Sequence, residues 1–115
     1  MTNYSNGAGW ERTVKKLFEA QGFVAIRSAG SKSPIDLMCW SMDAVILIQC
    51  KKSKTKLNIQ KAFKKDYEEL KAVKGLPGWK RQIWLKHGRN VSIYEEEEGQ
   101  TDITISDINR LIKEK

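Results

Sequence analysis

The chain has 115 residues, 40% of them hydrophobic and 30% charged, enough for one domain (1–115) built on a single core. Its 21 Lys and Arg against 14 Asp and Glu give a formal charge of +7; residues 95–115 hold seven acids and three bases, so residues 1–94 carry a net +11. With no apolar run of bilayer length and no secretion pattern in the first nine residues, a cytoplasmic protein drawn to nucleic acid and not to membranes is expected.

In chain order, Trp10, Val14, Leu17 and Phe18 recur at helical spacing from Gly9, which predicts an amphipathic first helix stopped by Gly22. Residues 23–27 read as a strand, 29–33 as a loop, and Pro34 restarts the chain as a strand. Residues 35–40 and 45–51 flank a four-residue connection and predict a hairpin. Facing Trp40 with Val45 places Met38 opposite Leu47 and Asp36 opposite Gln49. Alternation then brings Asp36, Gln49 and Lys51 to one face at one end. The same register separates Cys39 and Cys50 by about four residues, roughly 13 Å, too far for a disulfide, so both are expected to be reduced thiols.

Residues 58–74 predict one continuous helix capped by Asn58 and ended by Gly75, Pro77 and Gly78, with Ile59, Ala62, Phe63, Tyr67, Leu70 and Val73 on its apolar stripe. Residues 81–86 and 91–95 form a second hairpin around 87–90, where His87 reads as a loop histidine without a catalytic part. Ser106 is expected to cap a short terminal helix carrying Ile108, Leu111 and Ile112. From Glu95, the last residue of the second hairpin, an acidic patch runs to Glu98. Trp10, Trp40, Trp79 and Trp84 read as core or interface residues.

Phosphodiester hydrolysis needs an activated water and neutralisation of charge that builds on phosphorus. Mg2+ supplies both from a site of hard oxygen ligands. Singly, an Asp at a strand start reads as a turn residue and a Lys at a strand end as solvated. Their convergence with Gln49 over an apolar hairpin makes a polar cluster that has the chemistry of such a site. Beside it, Lys51, Lys52, Lys54, Lys56, Lys61, Lys64 and Lys65 form a basic stretch suited to a DNA backbone.

Glu11-Arg12 in the first helix, Gly22-Phe23, Arg27-Ser28-Ala29-Gly30-Ser31-Lys32, Ile35-Asp36-Leu37 and Gln49-Cys50-Lys51 together resemble the archaeal and phage Holliday-junction resolvases of the PD-(D/E)xK nuclease superfamily. The resemblance covers about residues 7–54. It implies an α/β fold with a central mixed sheet flanked by helices, the restriction-endonuclease-like core. It implies a Mg2+-dependent endodeoxyribonuclease, with Mn2+ as a substitute, that resolves four-way junctions by symmetric cuts during recombination and repair. By that resemblance Glu11, Asp36, Gln49 and Lys51 are catalytic. Asp36 is the central metal ligand, Glu11 a direct or water-mediated one, and Gln49 and the Cys50 carbonyl are neutral ones. Lys51 orients the attacking water. Arg12 and Arg27 touch phosphate, Ser31 and Lys32 sit in a loop that closes over DNA, and Lys52, Lys54 and Lys56 extend the contact. A homodimer is implied, since two sites related by a two-fold axis cut two opposed strands. Gln49 departs from the family's usual acid at that position, keeping an oxygen but losing a charge. The alternatives are a nuclease of the same type with another DNA substrate and a DNA-binding module without catalysis.

Overall fold

A computed structural model describes the backbone of residues 3–28 and 33–113. Ser31 and Lys32 lie outside the described residues. The first helix, α1 (Asn3–Ala20), starts well before Gly9, because helical backbone continues past the apolar stripe that begins at Trp10. Gly22 ends its turn with φ 89, a conformation that costs a side-chain-bearing residue strain. Strands β1 (Val24–Arg27), β2 (Leu37–Trp40) and β3 (Val45–Ser53) follow, then α2 (Ile59–Ala62), α3 (Lys64–Lys71), β4 (Lys80–His87), β5 (Asn90–Glu95), β6 (Gly99–Thr104), a 3-10 turn (Ile105–Asp107) and α4 (Ile108–Lys113).

The strands form one six-stranded sheet in the order β1-β2-β3-β4-β5-β6. Every neighbouring pair is antiparallel except β3 and β4, which run parallel because α2 and α3 carry the chain back between them. The sheet is therefore mixed and layered by helices, as expected. The predicted β2–β3 register holds from Leu37 to Trp40, with Leu37 facing Ile48, Met38 facing Leu47, Cys39 facing Ile46 and Trp40 facing Val45. The ladder stops short of the expected Asp36–Gln49 pair, since the Asp36 N–H goes to the Ile48 carbonyl.

Alternation along the strands divides the core. Ile46 and Ile48 face Trp10, Val14 and Phe18 of α1 and Ile108 and Ile112 of α4, while Leu47 joins Ile59, Tyr67, Leu70, Ile83 and Leu85 on the other face. Burying each of these side chains stabilises the fold by about 1.5–3 kcal/mol. The Trp10 indole Nε1 donates to the buried Trp84 carbonyl at 3.1 Å, which fixes the start of the apolar stripe of α1 against the centre of the sheet.

The two outer strands differ chemically. On β1, Ala25 points into the core while Val24 and Ile26, 50% and 51% exposed, project from the opposite face. On β6 the exposed positions are Thr101, Asp102 and Thr104.

Several expectations are corrected. The strand expected from residue 35 starts at Leu37, because the Asp36 side chain takes a hydrogen bond that a strand carbonyl would otherwise accept. The continuous helix over 58–74 breaks at Phe63, whose φ −124 and ψ 34 are not helical, and α3 ends at Lys71. Asn58 does cap the first piece, its side chain accepting from the Lys61 N–H at 3.1 Å. His87 is no loop residue. It is buried at the end of β4, and its Nε2 meets the Ser92 hydroxyl at 2.8 Å. The acidic 95–98 segment is the end of β5 and its turn into β6, a strand missed because Gly-Gln-Thr-Asp lacks an apolar face. Glu95 is buried, accepting from Gln82 Nε2 at 2.7 Å. Ser106 sits inside the 3-10 turn, and Thr104 precedes it instead. Among the described residues no helix is long and apolar enough to cross a membrane.

Candidate active site

Anchoring of Trp10 turns the adjacent Glu11 toward the end of β1. There the Glu11 carboxylate Oε1 accepts from both Nε and Nη2 of Arg27, each at 3.2 Å. The pair is partly screened from water, with side chains 32% (Arg27) and 18% (Glu11) exposed.

Asp36 lies just beyond the β2–β3 ladder, but its backbone stays tied to both neighbouring strands. Its N–H donates to the Ile48 carbonyl at 2.9 Å, and its carbonyl accepts from the Ser28 N–H at 2.9 Å. Its Oδ2 accepts from the Cys50 N–H at 2.8 Å. Burial pushes the Asp36 carboxyl above its ordinary range, and the Glu11 charge adds to the shift. The Cys50 N–H, Lys51 and Arg27 oppose it without cancelling it. Glu11, Arg27, Asp36 and Lys51 thus share one electrostatic environment. Two carboxylates placed this close favour a cation between them.

Gln49 and Lys51 follow Leu47 on the α2/α3 face of β3. Gln49 is 8% exposed, and its Oε1 is buried with no hydrogen-bond partner. An acceptor in that state costs about 1–3 kcal/mol unless a ligand or water satisfies it. Lys51 Nζ lies 3.5 Å from Asp66 Oδ1 and 5.4 Å from the centre of the Phe63 ring. The residue-by-residue reading missed both neighbours. The only sign of Asp66 in the sequence is that it is the first acid after the run of bases that begins at Lys51.

The oxygen donors gathered here are the Glu11 and Asp36 carboxylates, the Gln49 amide and the Cys50 carbonyl. Among the described residues no group of three or more His, Cys, Asp and Glu side chains is placed to hold a metal. Hard oxygen donors with an orphaned buried acceptor among them fit Mg2+ or Mn2+ and not a thiophilic ion. Burial drives the Cys50 thiol well above its ordinary pKa, and Cys39 up to about 12. Both cysteines are free, so the expectation of unpaired, protonated thiols holds and Cys50 has only backbone oxygen to offer.

Of the other residues expected at the site, Arg12, Lys52, Lys54 and Lys56 are exposed, the lysines on and after the end of β3. Lys56 Nζ is paired with Asp102 Oδ2 at 2.6 Å. Arg27 is engaged by Glu11 instead of standing open to solvent.

Comparisons with known proteins give the family and the fold. The family model described as archaeal Holliday junction resolvase (Hjc) matches residues 2–101. A crossover junction endodeoxyribonuclease Hjc of Methanocaldococcus jannaschii is 39% identical over 84 residues, 72% of this chain. The match spans 60% of that relative's length. The structure of an Archaeoglobus fulgidus Hjc, a Holliday junction resolvase, superposes with a TM-score of 0.63 over 92% of this chain and 88% of the other, at 22% identity. The sheet and its helices are accordingly those of the restriction-endonuclease-like fold.

Proposed function

This chain belongs to the archaeal Holliday junction resolvase family, and we propose that it is a Mg2+-dependent endodeoxyribonuclease that cuts four-way DNA junctions symmetrically as a homodimer. The observation that carries the reading is the unpartnered Gln49 oxygen on the residue next to Cys50, whose N–H holds an Asp36 carboxyl raised in pKa by burial and by Glu11. Both features describe a cluster built around a cation.

In this reading Asp36, Glu11, Gln49 and the Cys50 carbonyl hold Mg2+, which when bound supplies positive charge to the phosphate and acidifies water. The Cys50 N–H fixes the Asp36 carboxylate, leaving one oxygen to face the ion. Lys51 donates a hydrogen bond that orients the attacking water in line with the scissile P–O bond and offsets the charge developing on phosphate. Arg27 serves as counter-charge to Glu11 before DNA arrives and as a phosphate contact afterwards. Arg12, Lys52, Lys54 and Lys56 bind backbone phosphates flanking the cut. Ser31 and Lys32, on the segment between β1 and β2, are assigned to the same DNA surface. The site of action is inside the cell, where junction DNA is found.

A second copy is needed to cut two opposed strands, and the apolar Val24 and Ile26 on the outer strand β1 support an uncharged contact between two otherwise cationic chains. Sedimentation should give a dimer in wild type and a monomer after Val24→Lys with Ile26→Lys.

The deciding experiment incubates purified protein with labelled four-way junction, linear duplex and single strand, with and without Mg2+. Symmetric nicks confined to the junction and dependent on the metal are expected. Cutting of linear duplex instead would favour a nuclease with another substrate. Gln49, one charge short of the usual set, favours the second reading of a binding module without catalysis. Junction binding with no cutting at any metal concentration would establish it.

A further inference from the structure

Lys51 has a long, flexible side chain and the Asp36 carboxylate, itself next to Glu11, within electrostatic reach. An unrestrained ammonium there would fold onto the carboxylates and compete with the metal. The structure has a restraint. The break at Phe63 occurs without Gly or Pro in 58–74, and the chain resumes helical geometry at Lys64 with Asp66 in the first turn of α3. That offset brings the face of the Phe63 ring to 5.4 Å from Lys51 Nζ and the Asp66 carboxylate to 3.5 Å. A ring and a carboxylate from one broken helix thus converge on a single ammonium, from the α2/α3 side.

We propose that Asp66 is a positioning residue for the cleavage reaction, holding Lys51 away from Asp36 and Glu11 and aimed at the attacking water. The inference rests on the assignment of Lys51 above and adds a residue to it. Two observations argue that the contact is not there for stability. Lys51 and Asp66 side chains are 28% and 34% exposed, and pairs that open to water add little to folding. Asp66 also places a negative charge beside a basic stretch read as a DNA surface, where it opposes phosphate binding. Asp66 is also an acid in the first turn of α3, where it favours the helix, so the test must separate that contribution from its hold on Lys51.

The test compares wild type, Asp66→Asn and Asp66→Glu for junction cleavage at saturating Mg2+, for junction affinity without metal and for thermal midpoint. Asp66→Asn should lower kcat by roughly ten- to a hundredfold, the scale of a misplaced catalytic group, with junction affinity unchanged or tighter and the midpoint lowered by only the few degrees that loss of a first-turn acid accounts for. Asp66→Glu, which restores the charge on a longer stem, should recover most of the rate. Unchanged kcat in Asp66→Asn, loss through junction affinity or midpoint alone, or no recovery in Asp66→Glu would each overturn the role. A wild type that binds but does not cut would instead refute the nuclease reading itself, and the two failures are told apart by the wild-type lane.

Discussion

In the proposed site Arg27 occupies a carboxylate assigned to the metal, and removing it should therefore tighten metal binding in the absence of DNA. At the 3.2 Å separation seen between Arg27 and Glu11, with an effective dielectric constant near 20, the Coulomb attraction is about 5 kcal/mol. Desolvation and the ordering of two long side chains offset most of that, and for a pair open to solvent the net value is about 1 kcal/mol. Mg2+ must displace the guanidinium or tolerate its charge nearby, so this amount is subtracted from the intrinsic affinity. Arg27→Gln should accordingly tighten Mg2+ about fivefold, the equivalent of that energy. Isothermal titration of Mg2+ into DNA-free wild type and variant measures it directly. The same substitution should weaken junction binding, because a phosphate contact is lost, so the two affinities move in opposite directions. Equal or weaker Mg2+ binding by Arg27→Gln would refute the competition and detach Glu11 from the metal site.

Asp36→Asn should abolish cleavage while leaving junction binding intact, and it should also stabilise the metal-free fold. The folded state holds the Asp36 proton more tightly than the unfolded chain. Ionisation therefore costs stability progressively as pH rises from 3.8 through the raised folded value. Thermal unfolding in EDTA should show the variant above wild type at pH 7 and the gap closing on acidification; a variant below wild type at pH 7 contradicts the sign. Gln49→Glu should lower the Mg2+ concentration for half-maximal cutting and Gln49→Ala raise it, whereas three identical midpoints would remove Gln49 from the metal's ligands. Junction affinity should fall steeply with salt, since each neutralised phosphate releases close to one counterion, and a flat dependence would dismiss the basic surface. Trp10→Phe deletes a buried donor at 3.1 Å and part of a ring in the core, a loss of about 2 kcal/mol or roughly 8 °C in thermal midpoint, checked by calorimetry.

The hairpin that carries the site was legible because a short connection between two apolar runs admits few registers. Cys39 and Ile46 face each other in the observed one and are buried on the α1 face. Gln49 and Lys51 followed from that register by alternation, whereas Asp36 lies one residue beyond the ladder. Glu11 was reachable only through the family pattern, since its partner Arg27 lies 16 residues away and reads by itself as a phosphate ligand. The break at Phe63 carried no signal: residues 58–74 have unbroken helical periodicity, and tertiary packing around Tyr67 and Leu70 decides where α3 lies. Strand β6 was hidden for the opposite reason. Its backbone bonds to β5 supply what its polar side chains do not advertise.

The unlike outer strands of the sheet bear on how copies of this chain can assemble. If β1 met β6 of a neighbour, each new copy would present a fresh β1 at its far side, and the sheet would grow without end into a fibre. The exposed Asp102 on β6 makes that edge a poor match for Val24 and Ile26 on β1. In the proposed homodimer, contact of β1 with β1 would consume both adhesive edges at once and leave two polar ones facing water. Growth would stop at two copies, so the chemistry that limits aggregation would be the same chemistry that selects a closed pair.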